Sequence, residues 1–251
     1  MMTATRVETI PPIARAEVES LARTEYARVA DQLRSLSPDD WTAPTDCPLW
    51  DVRAMAGHTA GMLATFTSFP TLFGSMSKAG KAAKRAGGPM IDSLTAMQVA
   101  DNAKLSTDEL IAKVTQVGPK AAKWRSSRPA LFRRMPMQEE VDGKQETWKM
   151  GYLLDLILTR DPWMHRVDIC RATGSPMVLT ADHDGRIVAD VVAEWARRHG
   201  QPFTLTLTGP AGGSFVSGEG GEDITLDAVE FCRILSGRAT GTGLLAHPVP
   251  F

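Results

Sequence analysis

The chain has 251 residues, 43% hydrophobic and 23% charged, a composition typical of a folded globular protein. Twenty-eight basic and 29 acidic side chains give a formal net charge of −1, so no global field would draw the protein to nucleic acid or to an anionic membrane. Residues 1–12 lack the apolar core of a secretory signal, and no apolar stretch is long enough to span a bilayer. Three cysteines, Cys47, Cys170 and Cys232, form no CxxC pair, which favours a reducing cytoplasm over a disulfide framework.

The first two-thirds of the sequence predicts a helical bundle. Apolar residues at helical spacing predict a first helix over residues 13–36 and a second that begins near Trp50 or Asp51. Further helices are predicted at residues 93–103, from Thr107 onward, and over residues 146–172, the last closed by Thr173-Gly174. Residues 78–88, rich in glycine and lysine, are predicted to form a loop, and residues 125–143 an irregular segment. These segments predict a bundle of four main helices up to Gly174.

The pattern changes after Gly174. Residues 203–208 alternate with a period of two, which predicts a strand between helices at residues 182–198 and 227–235. Residues 214–217 and 223–226 are shorter strand candidates, and Gly237 ends the last helix. The sequence therefore predicts two domains, a helical bundle over residues 1–174 and a small α/β domain over residues 175–251.

The second predicted helix carries a histidine on its inner face. His58 lies three residues after Met55 and four before Met62, so all three share one side of the helix. A single histidine in such a place is usually a hydrogen-bonded core residue, and a metal ligand is the alternative.

The long predicted helix carries a second candidate ligand pair. Asp161, His165 and Asp168 share one face with Leu154 and Leu158. A carboxylate four residues before a histidine can place two ligand atoms at one metal ion. A histidine from a facing helix would complete three protein ligands and leave one position open, as in catalytic zinc sites.

Two alternatives concern the acidic residues of this face. Asp161 before Pro162 is also a common helix start, in which the aspartate caps the first turn. If the helix is instead continuous, Pro162 would kink it. Asp168, one turn after His165, is predicted to orient a ligand histidine, or else to be a surface partner of Arg166 or Arg171.

Three segments in order resemble one family: WDVRAMAGH at residues 50–58, DPWMHRVD at residues 161–168 and LSGR at residues 235–238. They are similar to a tryptophan-led helix that ends in a ligand histidine, a carboxylate-x-x-x-His segment followed by aspartate, and the Leu-x-Gly-Arg stretch of a small α/β domain. The sequence thus resembles the mycothiol-dependent maleylpyruvate isomerase family, within the wider DinB-like metalloproteins, over nearly its whole length. It departs from that family at Asp161, where glutamate is usual.

The resemblance implies a DinB-like four-helix bundle followed by a small α/β, sterol-carrier-like domain. It also implies a divalent metal ion, expected to be Zn²⁺, held by His58, Asp161 and His165, with mycothiol as the thiol cosubstrate. A free thiol has a pKa of about 8.5 and is mostly protonated at neutral pH, and coordination to a metal deprotonates it. The thiolate would then attack an electrophile, either in an isomerase or in a thiol S-transferase. Arg238 is expected to point toward the metal from the second domain and to bind a carboxylate with its fork of donors; the alternative is a solvent-exposed arginine.

Asp161-Pro162 leaves an alternative function open, because it departs from the usual ligand segment. The alternative is a non-catalytic small-molecule-binding protein of the same fold with a degraded metal site. The expected partners are a small-molecule electrophile and a low-molecular-weight thiol, with no nucleic acid and no membrane. The chain is expected to be a monomer or a homodimer. Cys47 and Cys170 have no adjacent base in the sequence and are expected to be inert thiols. Trp163 is expected in the core, or in the cleft above the metal.

Overall fold

The computed structural model describes residues 4–141 and 143–251, which divide into two compact units. The bundle unit comprises Arg15–Phe132 and His165–Met177, and the mixed unit comprises Met1–Ala14, Arg133–Met164 and Val178–Phe251. One boundary between the two units falls inside a continuous helix, between Met164 and His165. The predicted domain boundary between residues 174 and 175 stays a prediction, since the compact units are not continuous in sequence.

The bundle unit contains the first five helices and the end of the eighth: α1 (Arg15–Ser35), α2 (Val52–Thr65), α3 (Phe69–Ala86), α4 (Met90–Asn102), α5 (Thr107–Ser126) and, in its C-terminal part, α8 (Leu158–Thr173). Helix α1 packs on α5, α2 packs on α4 and α5, and α3 packs on α4. The apolar residues that recur at helical spacing, such as Val29 and Leu33 in α1 and Leu110 and Val114 in α5, are buried at these contacts. The helices predicted from that spacing at residues 13–36, near residue 51, at 93–103 and from Thr107 are confirmed.

The predicted loop at residues 78–88 is wrong, because α3 extends from Phe69 to Ala86. Ser68 and Thr71 form a capping box at its start, and Gly87 ends it with a positive φ of 74°. Alanine and lysine are strong helix formers, and each of the two interior glycines, Gly74 and Gly80, costs only about 1 kcal/mol relative to alanine. Tertiary packing on α4 outweighs that cost.

The predicted irregular segment at residues 125–143 and the predicted helix start at residue 146 are also wrong. A short helix and two strands occupy the region: α6 (Ala130–Arg133), β2 (Pro136–Val141) and β3 (Lys144–Lys149). The strands pair antiparallel, with Pro136 opposite Lys149 and Val141 opposite Lys144. Both strands are rich in charged residues, so the apolar alternation that marks a strand is weak. Cross-strand pairs replace it, such as the side-chain hydrogen bonds between Gln138 and Thr147.

A continuous helical segment follows the hairpin. It consists of α7 (Met150–Tyr152), a π-helical turn (Leu153–Ile157) and α8, with Pro162 inside α8. Proline cannot donate a backbone hydrogen bond, and irregular helical turns commonly adjust the hydrogen bonding near such a residue. The helix therefore passes through Pro162, and Gly174, with a positive φ of 68°, follows its end.

The mixed unit contains a four-stranded sheet in the order β1-β5-β4-β6. Its strands are β1 (Thr5–Arg6), β4 (Phe203–Thr208), β5 (Gly213–Ser217) and β6 (Glu222–Asp227). Strand β4 pairs antiparallel with β5 and parallel with β6, and β1 pairs parallel with β5. Phe203, Leu205 and Leu207 are buried, as the period-two alternation predicts. The three predicted strands are confirmed, and the short β1 was not predicted.

Two helices, α9 (Arg186–His199) and α10 (Ala228–Leu235), complete the core of the mixed unit. The Trp195 ring of α9 lies 4.7 Å from that of Phe203 and 5.3 Å from that of Phe231, measured between ring centroids. The predicted fold class, a helical bundle with a small α/β domain, is confirmed. Among the described residues, no helix combines the length and apolarity needed to cross a membrane.

A buried charge cluster ties α8 to α9 within the mixed unit. The guanidinium of Arg160 is 1% exposed and lies 2.6 Å from Asp190 and 2.7 Å from Glu194. It also donates to the carbonyl of Pro250, and the Tyr152 hydroxyl donates to Glu194. Removal of Arg160 would leave Asp190 buried without its cation, whereas Glu194 would keep its ion pair with Arg198 at 3.0 Å.

Candidate metal centre

His58 lies in the middle of α2, a helix that is buried along most of its length. The helix starts after Asp51, whose carboxylate accepts a hydrogen bond from the backbone of Ala54 at 2.7 Å. Helix α4 packs against Gly61 so closely that a Cβ there would lie 2.6 Å from the Cβ of Gln98. The His58 side chain is 5% exposed. Its backbone is therefore fixed by close helix packing, and its side chain is shielded from bulk water.

His165 of α8 lies next to His58, as the sequence predicts. Its side chain is also buried, and the two imidazole centroids are 5.2 Å apart with the ring planes at 89°. A ligand nitrogen of each ring lies within 4.8 Å of the other. Two imidazoles offered by different helices in this way are suited to share one metal ion.

Trp50 covers both histidines from the loop before α2. Its ring stacks on His58 at 4.7 Å with planes 30° apart, and its centroid lies 5.8 Å from that of His165. Backbone hydrogen bonds hold the loop: Thr45 donates to the Trp50 carbonyl, and Trp50 donates to the Cys47 carbonyl. The sequence pattern predicts no role for Trp50 at the site, because nothing in it shows onto which side the loop folds.

Asp168 contacts the Nδ1 nitrogen of the His165 ring. Its Oδ2 lies 3.3 Å from His165 Nδ1, and its carboxylate is fully buried. A carboxylate there favours the tautomer with the proton on Nδ1, which leaves the Nε2 lone pair for a metal ion. The alternative of a surface partner for Arg166 or Arg171 is wrong, because Asp168 is not at the surface. Its orienting role stays a prediction.

Asp161 lies one helical turn before His165 within α8, so the alternative of a helix cap is wrong. His58 and His165 of the bundle unit each offer a ring nitrogen, and Asp161 offers a carboxylate oxygen four residues before His165 on the same helix. Two neutral imidazoles and one carboxylate are a donor set that divalent zinc accepts, with one position left for another ligand. The bound ion would leave the set with a net charge of +1, which favours an anionic fourth ligand. The residues thus fit the implied metal.

Cys47 is a second residue near this centre whose position the sequence pattern does not predict. It is half-buried, and its Sγ lies 3.9 Å from Asp168 Oδ2. Its contact with α8 depends on the fold of the loop before α2, for which the sequence gives no signal. Cys170, by contrast, is buried, and burial raises the pKa of its thiol. An inert thiol remains our interpretation of Cys170.

Trp163 and Arg238 belong to the mixed unit. The Trp163 indole is fully buried and donates to Asp184 at 3.0 Å, which gives it the core position that was one of its two predicted places. Arg238 follows Gly237, which has a φ of 80°, and is partly buried. Its backbone N–H donates to the Arg233 carbonyl at 2.9 Å. The predicted approach of Arg238 to the metal stays a prediction.

A model of a known protein family matches the part of the chain that contains these residues. The family described as "Mycothiol maleylpyruvate isomerase N-terminal domain" matches residues 22–170, a span that includes His58, Asp161 and His165. The chain belongs to this family. Membership of the mycothiol maleylpyruvate isomerase family implies a thiol and a small-molecule substrate. No curated protein gives a significant sequence match.

Two solved structures have a similar fold. The crystal structure of the mycothiol-dependent maleylpyruvate isomerase is 16% identical to this family member, with a TM-score of 0.56 over 95% of this chain and 93% of that chain. A mutant of that isomerase, with one histidine replaced by alanine, is 16% identical with a TM-score of 0.55 over the same shares. At this identity the likeness shows the fold alone.

Proposed function

We propose that this chain is a metal-dependent, mycothiol-dependent enzyme that activates a low-molecular-weight thiol for attack on a small-molecule electrophile. The observation that carries the proposal is the pair of buried imidazoles, His58 and His165, 5.2 Å apart on two helices with Asp161 one turn away. Membership of the family supports mycothiol as the thiol. The expected ion is Zn²⁺, because nitrogen and carboxylate donors with an open fourth position are typical of catalytic zinc.

A divalent ion bound by these residues would supply the Lewis acidity that converts a thiol to a thiolate at neutral pH. The protein's own contribution is to hold the donors in place. Asp168 orients the ring of His165 so that Nε2 offers its lone pair to the ion, and the hydrogen-bonded loop holds Trp50 over both imidazoles. Since the indole excludes water from one side, the charge attraction between the site and an anionic thiolate is stronger than in bulk solvent.

The reaction class we favour is isomerisation of a maleylpyruvate-like electrophile. The thiolate sulfur adds to a conjugated double bond, the resulting single bond rotates, and elimination restores the double bond and returns the thiol. A thiol S-transferase would share the first step and release the adduct. In either case Arg238 is proposed to hold a substrate carboxylate through bidentate hydrogen bonds, which lysine cannot reproduce.

A cytoplasmic location is proposed because the thiol must be reduced to act. The side chains of Cys47, Cys170 and Cys232 form no disulfide bond with one another, in keeping with that setting. A monomer or homodimer is proposed as the active form.

The test is a turnover assay on the full-length protein with mycothiol and maleylpyruvate, with and without Zn²⁺. We expect turnover that needs both the thiol and the metal. His165→Ala should abolish it, whereas the exposed His247→Ala, a matched control distant in sequence, should retain it. Mass spectrometry of the products separates the two reactions, since an isomerase returns free mycothiol and a transferase accumulates the adduct.

Full turnover after removal of the metal would contradict the proposed mechanism. A protein that binds Zn²⁺ through His58 and His165 but consumes no electrophile with mycothiol would instead be the non-catalytic binding protein that the sequence left open.

A further inference from the structure

A second group of metal-ligating side chains lies around Nδ1 of His165, the ring nitrogen that contacts Asp168. Cys47, His165 and Asp168 each offer a ligand atom, and these atoms lie within 4.8 Å of one another. All three belong to the bundle unit, and none of the roles proposed above uses the thiol. The group shares only His165 with the set formed by His58 and Asp161.

The spacing of this group is close to that of a tetrahedral site. Ligand bonds of about 2.0–2.3 Å place pairs of tetrahedral donors about 3.3–3.8 Å apart. His165 Nδ1 and Asp168 Oδ2 are 3.3 Å apart, and Cys47 Sγ and Asp168 Oδ2 are 3.9 Å apart. The third pair, Cys47 and His165, lies within 4.8 Å. A movement of about 1 Å or less would therefore bring the three donors to coordination distance.

Charge and donor type also distinguish this group from the first set. A thiolate and a carboxylate together neutralise a divalent ion, and a neutral site tolerates the burial of Asp168, which is fully shielded from solvent. Thiolate sulfur is a soft donor that selects soft metal ions. The half-buried position of Cys47 gives an ion a route to the other two donors.

We propose that Cys47, His165 and Asp168 form a second metal site, selective for soft divalent ions such as Cd²⁺, that competes with the first set for His165. Binding releases the thiol proton of Cys47 to solvent. The imidazole proton must move from Nδ1 to Nε2 so that Nδ1 can coordinate the ion. A neutral imidazole has only one nitrogen lone pair, so His165 then has none left for an ion beside His58.

The test is a Cd²⁺ titration of reduced, chelator-treated full-length protein, followed by thiolate-to-cadmium charge-transfer absorption. We expect the band to saturate at one equivalent in the wild type and to be lost in Cys47→Ser and Cys47→Ala. Cys170→Ser is the matched control and should retain the band. His58→Ala should also retain it, because the proposed site does not use His58. Binding of Zn²⁺ and an unchanged circular dichroism spectrum would show that the Cys47 variants are folded.

The proposal is overturned if folded Cys47→Ser keeps the band, or if His58→Ala or Cys170→Ser loses it. It does not rest on the proposed enzymatic function. A wild-type protein that shows the Cys47-dependent Cd²⁺ band but no thiol-dependent turnover would refute the proposed enzymatic function and leave the second metal site supported.

Discussion

Replacement of Asp168 with asparagine tests whether this carboxylate orients His165 for metal binding. Asparagine has nearly the same shape and keeps an oxygen acceptor, but it removes the negative charge that lies 3.3 Å from His165 Nδ1. The carboxylate is fully buried, so water cannot take its place. Loss of such a partner typically lowers metal affinity about 10–100-fold, which corresponds to about 1.4–2.8 kcal/mol. We therefore expect Asp168→Asn to weaken Zn²⁺ binding by that factor.

The assay is competition for Zn²⁺ between the protein and a chromophoric chelator at neutral pH. Asp46→Asn is the matched control, because Asp46 forms a largely exposed ion pair with Arg171 and such pairs contribute little. The control should bind Zn²⁺ like the wild type. Folded Asp168→Asn with wild-type zinc affinity would refute the orienting role, and so would an equal loss in both variants.

Further predictions concern stability. Arg160→Ala should lower the free energy of unfolding in urea by about 3–5 kcal/mol, since it leaves Asp190 buried without its cation and leaves Glu194 only the more exposed Arg198; a loss below about 1 kcal/mol would contradict this. Gly61→Ala should cost about 1–3 kcal/mol through overpacking against α4, whereas Gly74→Ala in α3, where a Cβ meets nothing within 4 Å, should raise stability by up to about 1 kcal/mol; equal effects at the two glycines would contradict the packing argument. Burial and the nearby His247 lower the pKa of His199 below its usual 6.5. The unfolded chain then binds more protons, so His199 should reduce the free energy of unfolding as pH falls below about 6.5, and His199→Gln should flatten that dependence.

Most of the fold could be predicted because burial imposes a period on the sequence. In α1 and β4 the apolar residues recur at 3.6 and 2 residues, and both elements lie where the pattern places them. The helix α3 and the hairpin β2–β3 were missed because their surfaces are mostly polar. In α3, glycine and lysine suggested a loop, but packing on α4 and the Ser68 cap stabilise a helix.

The residues of the candidate site also divide into those that helical spacing predicts and those that it does not. His58, Asp161, His165 and Asp168 could be selected because each shares an inward helical face with apolar neighbours. The contacts of Trp50 and Cys47 could not be predicted, because both lie in the loop before α2. Hydrogen bonds within that loop, such as that between Trp50 N–H and the Cys47 carbonyl, decide where its side chains go, and they leave no periodic signal.

Metal analysis of the purified protein tests the central claim, that His58 and His165 share one metal ion. We predict about one equivalent of Zn²⁺ in the wild type and in the His247→Ala control, since three protein ligands suffice for one tetrahedral ion. The His58→Ala, His165→Ala double variant should contain none while its circular dichroism spectrum stays that of a folded protein. A folded double variant that retains the wild-type metal content would contradict the account.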